Sequence, residues 1–477
     1  MKETKGHYPA PLRALNVTID GMGREESVAL ANEAKALGEL ISTPESKSLV
    51  HVYFCSEASS KLGRSMRDDV KGKTVGVLGA GVMGASIASV FLYKGHPVVL
   101  LDPSEEARER AEKSIAKYIG SRRGLAEEKQ QEMISALSVT DKISDMSECS
   151  LVVEAIIEDL QIKQDTLKGL AEVVSGDCII ASNTSSLSIG DIANGISTPE
   201  RIIGMHFFNP ADKMPLVEVV RGPGTSGKSL ATVTAYVSNL GKYPVVVEDV
   251  PGFLVNRILA PYIAEAGRLL SEGVSIDEID AAATSFGMPM GPFRMLDEVG
   301  LDVAAKVQVG MTEAYGERMN APEYPKMLVE EGRKGKKSGL GFYSFANKEA
   351  QSDASVYELL GMPLVSISNL SQKVIKDRLI FSLLQEAVRC LDEQVAGVPG
   401  TDSAGQIDLA TVMGMGFAPF RGGVLFYAES LGVSEVIKQL KELEQKFGPR
   451  FAPVDGLLRR EREEGGLFAE TTPAPVG

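Results

Sequence analysis

The sequence predicts an α/β protein in which a Rossmann-type doubly wound sheet is followed by two duplicated all-α domains, with a short N-terminal helical segment ahead of the sheet. Three observations predict it. A glycine-rich turn, Gly79-x-Gly81-x-x-Gly84, stands between a β-branched run and an apolar helical run, and it is this strand–turn–helix setting that gives the motif meaning. From there to about residue 247 short apolar runs alternate with helical periodicities, the pattern of a mainly parallel sheet with helical crossovers. Beyond residue 250 the strands stop, and two long helical segments carry the same order of residues, as an internal duplication would.

The chain's bulk properties narrow its class. A length of 477 residues suggests three or so domains, and 44% hydrophobic with 24% charged residues is an ordinary globular composition. The formal charge of −14 argues against nucleic-acid partners, because phosphate binding leans on basic surface. No apolar run reaches membrane-spanning length and the first residues contain no leader-like apolar stretch, so neither membrane nor export is expected. Cys55, Cys149, Cys178 and Cys390 show no CxxC spacing. Reduced thiols in a cytoplasmic setting, with no disulfide framework and no metal site, are expected.

Residues 1–70 form the first segment. Val28, Ala31, Ala34, Leu37 and Leu40 recur at helical spacing, and a second helix follows Pro44 with Glu45 in its first turn. Such a pair needs something else to pack on.

Residues 71–251 form the sheet domain. The three glycines of its turn permit a tight bend, close approach of backbone to a pyrophosphate and close helix packing, and the helix N-terminus favours the negative charge. Asp102 ends the second strand, roughly 20 residues after the turn, where an acid accepts hydrogen bonds from ribose hydroxyls and repels a 2′-phosphate. NAD is therefore the expected cofactor. Residues 103–137 are charged and helix-forming, broken at 121–124, and read as a pair projecting from the sheet. Arg122 and Arg123 either meet an anionic substrate group or form a solvated face, the second being the simpler account.

Strands at 151–155 and 178–181 flank a helix over 162–173, leaving Glu154, Glu158 and 183–186 at carboxyl ends of strands, where ligands of such sheets sit. Two short apolar runs, 201–205 and 215–220, follow. His206 leaves the first and Glu218 lies in the second, so neighbouring strands can pair an imidazole with a carboxylate that holds a general base in one tautomer. Of the other histidines, His7 and His51 fall outside the expected fold and His96 precedes the second strand. A last strand covers 243–247. Asp249-Val250-Pro251-Gly252 then punctuates the chain. The next helix should kink near Pro261, and Asn256 near its start either enters the cleft or serves as a buried structural amide.

The helical half divides into 252–350 and 351–477. Residues 255–273 and 376–394 share Arg257/Arg378, Glu265/Glu386, Ala266/Ala387 and Arg268/Arg389. A second match sets Ile279-Asp280 and 290–294 (MGPFR) against Ile407-Asp408 and 417–421 (FAPFR). The second copy has no sheet domain of its own and carries Asp377 in place of Asn256, so a structural role is expected for it. A basic glycine turn at 336–345 closes the first copy, and 463–477 read as a frayed tail.

Taken together, the glycine fingerprint, the NTSSL segment, HFFNP, a glutamate soon after that histidine, and PGFxxNR resemble the L-3-hydroxyacyl-CoA dehydrogenases over 71–345. With the duplicated half included, the chain is similar to the dehydrogenase part of the bifunctional fatty-acid oxidation enzymes, enoyl-CoA hydratase/3-hydroxyacyl-CoA dehydrogenase. The resemblance implies oxidation of an L-3-hydroxyacyl-CoA to a 3-ketoacyl-CoA with NAD, in β-oxidation or butanoate metabolism. It implies that His206 is the base, Glu218 its orienting partner, and Ser185 and Asn256 the groups holding the substrate 3-oxygen and the histidine. It puts Gly79, Gly81, Val82, Met83, Gly84, Asp102, Glu158, Lys163 and Asn209 on or near the cofactor. Residues 1–70, with YPAPLRAL and TPESKSL, resemble only the last helices of the hydratase and its linker, so no hydratase activity is expected. Two alternatives stand beside this reading: a β-hydroxyacid dehydrogenase acting on a non-CoA substrate, and a docking module for a separate hydratase or thiolase. Single-copy members pair through their helical domains, a surface the second copy would occupy within one chain.

Overall fold

Burial explains the central sheet. The runs VGVL, LVVE and IIAS are buried at every position, and a strand covered on both faces must be apolar throughout. In the computed structural model, which describes residues 4, 6–347, 351–364, 366–397 and 401–468, these segments belong to one eight-stranded sheet. Its strands are β1 (Val75–Leu78), β2 (Val98–Leu101), β3 (Leu137–Thr140), β4 (Leu151–Glu154), β5 (Ile179–Ser182), β6 (Ile202–Phe207), β7 (Leu216–Arg221) and β8 (Tyr243–Glu248). Their order is β3-β2-β1-β4-β5-β6-β7-β8, parallel throughout except where β7 runs antiparallel to β6. Strand order reverses at β1, with β2 and β3 added on one side and β4 and β5 on the other, which leaves a crevice beyond the carboxyl ends of β1 and β4.

Two sequence expectations change here. β3, with the polar pattern LSVT, is a partly exposed edge strand, and its weak apolar signal hid it. The helices Glu105–Gly120 and Glu127–Ser135 are the crossover from β2 to β3, and the first buries Ala111, Ile115 and Ile119. They cover the sheet instead of projecting from it. Arg122 lies over the rings of Tyr118 and Tyr93, 4.0 and 5.1 Å from their centroids, an aromatic clamp that accounts for it without a substrate anion. Arg123 is exposed.

The helix Val255–Ser271 runs unbroken through Pro261 and packs along Gln372–Asp392. Between them the duplicated residues pair reciprocally. Arg257 Nε donates to Glu386 Oε1 at 2.9 Å, and Arg378 Nε to Glu265 Oε1 at 2.6 Å. Arg318 joins the Glu386 pair and Arg450 the Glu265 pair.

Each copy also buries one aspartate under a helix start. Asp280 accepts from Phe293 N and Arg294 N, and Asp408 from Leu425 N and Phe426 N. This corrects the sequence match of MGPFR with FAPFR: the structural counterpart of Gly291-Pro292-Phe293-Arg294 is Gly423-Val424-Leu425-Phe426. A Cβ on Gly291 would collide with Asp280 and one on Gly423 with Asp408, so the aspartate sets the register. The copied-looking Pro419–Arg421 is a separate 3₁₀ turn.

Ahead of the sheet lie α1 (Pro9–Gly21), α2 (Glu26–Ile41) and α3 (Pro44–Leu62), the last capped by Thr43. α3 is wedged between β8 and the second copy: Ser59 Oγ donates to Pro244 O at 2.8 Å, and His51 Nε2 lies 2.9 Å from Asp408 Oδ2. His51 is thus inside the fold, contrary to the sequence reading, while His7 stacks on Phe420. His96 is buried between Lys73 O and Asn239 Oδ1. The edge of β8 is closed by the second copy through Glu248 N to Val395 O and Gly397 N to Val246 O. The four cysteines are free and buried. Among the described residues no helix is long and apolar enough to cross a membrane. Leu467 is buried and Phe468 packs against His51 and Phe426, so the expected tail begins no earlier than 469 and lies outside the described residues.

Candidate active site

The antiparallel register of β6 and β7 sets His206 directly opposite Glu218. Both are buried, and His206 Nδ1 stands 2.7 Å from Glu218 Oε2. The other carboxylate oxygen accepts Leu254 N at 3.1 Å and Val255 N at 2.9 Å, the first amides of the 255–271 helix. A carboxylate receiving two backbone donors is an acceptor toward its remaining neighbour, so Nδ1–H donates to Glu218 and Nε2 is the ring's free acceptor. Phe208 and Phe253 flank the imidazole, with centroids 4.6 and 5.7 Å away.

Ser185 lies in the loop that follows β5. Its N–H donates to Glu158 Oε1 at 3.0 Å, and its carbonyl accepts Asn256 Nδ2 at 3.3 Å. Asn256 therefore reaches across from the helical half. Asn183 Oδ1 accepts Phe207 N at 2.8 Å, tying the start of that loop to the strand carrying His206.

Glu158 gathers the loop: Thr184 Oγ1 and Ser186 Oγ also donate to its Oε1, at 2.6 and 3.1 Å. Lys163 Nζ sits 3.2 Å from Glu158 and 2.5 Å from Glu154, itself bonded to Ser182 Oγ at 2.6 Å. Burial works to raise the Glu158 carboxyl, but Lys163 and the donors from Thr184 and Ser185 outweigh it and hold the group below its ordinary value.

The glycine turn fits a dinucleotide. Gly79 has φ +98°, and a Cβ there would stand 2.6 Å from Ala155 O; one on Gly84 would stand 1.8 Å from Gly79 O. Gly81 is different, because a Cβ on it would meet no protein atom within 4 Å. It borders open space at the start of the Val82–Tyr93 helix, which has no side-chain cap. Uncapped amides beside a bare backbone suit a pyrophosphate. Asp102 accepts Ala80 N at 2.8 Å and Ser104 N at 2.9 Å, which fixes its carboxylate at the rim of this turn with lone pairs left for ribose hydroxyls. Val82 is 79% exposed and Met83 partly so. Asn209 lies exposed in the turn after β6.

The fold thus gathers Ser185, His206, Glu218 and Asn256 into one group, with Glu158 and Lys163 behind the Ser185 loop and the glycine turn with Asp102 at the ends of β1 and β2. Sequence reasoning missed Ile157, which is 65% exposed beside Glu158, and Phe253, whose φ of +48° is unusual for a phenylalanine. It also treated Asp249 as punctuation. Asp249 binds Ser188 Oγ, Ile189 N and Gly190 N at 2.8 to 2.9 Å.

Two models of one family match the chain in succession. Residues 74–250 match the 3-hydroxyacyl-CoA dehydrogenase NAD-binding domain and residues 252–345 the C-terminal domain of the same family. The fatty acid oxidation complex subunit alpha of Vibrio vulnificus is 39% identical over 466 residues, which is 97% of this chain and 65% of that one. Among solved structures, 3-hydroxybutyryl-CoA dehydrogenase from Escherichia coli aligns with a TM-score of 0.71 at 30% identity, covering 82% of this chain and 98% of that one. The (S)-3-hydroxybutyryl-CoA dehydrogenase from Ralstonia eutropha aligns at 0.55 with 36% identity, over 58% and 99%.

Proposed function

The chain belongs to the 3-hydroxyacyl-CoA dehydrogenase family, and from that premise we propose that it oxidises L-3-hydroxyacyl-CoA thioesters to 3-ketoacyl-CoA in β-oxidation or butanoate metabolism, with His206 as general base. The observation that carries this is the buried pair of His206 Nδ1 and Glu218 Oε2 at 2.7 Å, which leaves Nε2 to accept a proton. Bound NAD supplies the acceptor for the hydride leaving C3. As that carbon becomes a carbonyl its hydroxyl must lose a proton; His206 Nε2 takes it and Glu218 stabilises the imidazolium. Ser185 and Asn256, joined across the cleft, hold the 3-oxygen against the imidazole. Gly79, Gly81, Val82, Met83, Gly84 and Asp102 would hold the dinucleotide, with Glu158, Lys163 and Asn209 toward its nicotinamide end. The reading divides the chain at residues 70, 251 and 350, and the free buried thiols suit a cytoplasmic setting.

The test is acetoacetyl-CoA reduction by His206→Gln. A loss of about 10²- to 10⁴-fold in kcat with NADH binding intact is expected, and wild-type turnover would refute the assignment. Running free 3-hydroxybutyrate beside its CoA thioester separates this activity from a non-CoA dehydrogenase.

One observation favours a second role beside catalysis. α1 packs on α2, Gly21 coming close to Ala29, while Leu12, Leu15, Ile19 and Met22 of α1 and its C-terminal edge are 49 to 75% exposed along one face. A contiguous apolar face of this kind marks an interaction site. The Vibrio relative is a subunit of a complex, and this chain spans 65% of its length. We propose that a separate hydratase docks on this face. Light scattering of the chain mixed with enoyl-CoA hydratase should show a complex that Leu15→Lys with Ile19→Lys abolishes; a complex with thiolase alone would reassign the partner.

A further inference from the structure

Ser185 sits in a loop, residues 183–188, that the turn after β4 grips from one side through Glu158. The opposite grip comes from the connector between β8 and the 255–271 helix. At the connector's start the Asp249 carboxylate receives three donors: Ile189 N at 2.9 Å on one oxygen, and Ser188 Oγ and Gly190 N, each at 2.8 Å, on the other. At its end Asn256 Nδ2 reaches Ser185 O, and Leu254 N and Val255 N hold Glu218. One short stretch of chain therefore touches the serine loop at two places and the histidine's carboxylate at a third.

We propose that Asp249 is a positioning residue for the dehydrogenase reaction, fixing Ser185 in register with His206 through this connector. The inference rests on the reading above, in which Ser185 and His206 share the 3-oxygen. Asp249 is not needed merely to cap the helix Ile189–Ala193, because Ser188 already does so through Asp191 N. Its bonds instead join segments 59 to 61 residues apart. The connector can transmit position because it is itself held. Tyr315 OH donates to Pro251 O at 2.9 Å, and a Cβ on Gly252, at φ +75°, would stand 2.7 Å from Met311 Sδ. Pro251 adds a fixed φ of its own. Losing Asp249 would free the loop's 188–190 end and leave Ser185 held from the Glu158 side and by Asn256 alone.

The experiment compares wild type, Asp249→Ala and Asp249→Asn in the full chain. Asp249→Ala should lower kcat for acetoacetyl-CoA reduction by about 10²-fold, the scale of an ångström-sized misplacement, while the NADH Kd stays within about twofold and the pH–rate limb of His206 does not move, since Asp249 touches no atom of it. Asp249→Asn, which keeps an acceptor oxygen, should recover part of kcat. Hydrogen exchange should show lost protection at Ile189 and Gly190 in Asp249→Ala with β6 and β7 unchanged. An unaltered kcat with a lowered Tm would overturn the proposal, as would a shifted pH limb or unchanged protection of 189–190. Absence of turnover in wild type would instead refute the dehydrogenase reading, and the exchange data would still decide whether Asp249 holds the loop.

Discussion

The two helical copies offer each other the same faces but meet different neighbours. Both contribute an arginine and a glutamate to a reciprocal pair of buried salt bridges, and both hide an aspartate under a helix start. Only the first copy presents an asparagine to the sheet, bonded to the Ser185 loop. At the matching place in the second copy, Asp377 pairs with Lys373 on its own helix. The third partner of the buried aspartate differs too. Tyr343 OH donates to Asp280 Oδ2 at 2.8 Å from the copy's own closing turn, whereas His51 reaches Asp408 from α3. One copy closes on itself; the other is closed by the beginning of the chain. Duplication therefore preserved the contacts between copies, where each change needs a matching change opposite, and freed those that face outward.

The largest expected effect breaks what the copies share. Arg257→Leu and Arg378→Leu should each destabilise the chain by about 3 kcal/mol, because each takes from a buried glutamate its one fully buried arginine and leaves it only the partly exposed Arg318 or Arg450. Urea unfolding measures this, and a much smaller cost for one of them would show that the two pairs are not equivalent.

Next comes the site that separates the copies. Asn256→Ala should lower kcat about 10²-fold, or about 2.7 kcal/mol of barrier, and Asp377→Ala should leave it unchanged. Steady-state assays of both variants would dissolve the distinction if Asp377 mattered equally.

The smallest effect concerns the buried aspartates. Burial pushes Asp280 and Asp408 from 3.8 up to about 6, against the donors they accept. A folded value above the unfolded one means that their contribution to stability is complete below about pH 4 and is lost as pH rises through about 6. Above that the carboxylates are ionised and depend on their donors. His51→Phe and Tyr343→Phe should each cost about 1–2 kcal/mol at pH 7.5 and less at pH 5, where the carboxyls are largely protonated. Equal costs at both pH values would contradict the burial argument.

The elements that could be read from the sequence were those with strong periodicity or punctuation. Seven of the eight strands carry β-branched, buried runs, and the glycine turn stands where its spacing requires. β3 was hidden because an edge strand has less need of apolar residues. The match of FAPFR to MGPFR failed for a different reason: similar letters fell on a turn, while the true register is set by which amides the buried aspartate can reach. His51 looked peripheral because its partner lies 357 residues away.

By itself the sequence determined the layered α/β architecture, the dinucleotide turn and the presence of a histidine and a glutamate on neighbouring strands, since all three follow from local pattern and short spacing. The tertiary structure alone decided that β6 and β7 oppose His206 to Glu218, that Asp249 and Asn256 grip the serine loop from the two ends of the connector between β8 and the helical half, and that α3 completes the second copy. Each of these is a contact between segments distant in the chain, formed because a buried polar group must find its partner wherever the fold brings one within reach.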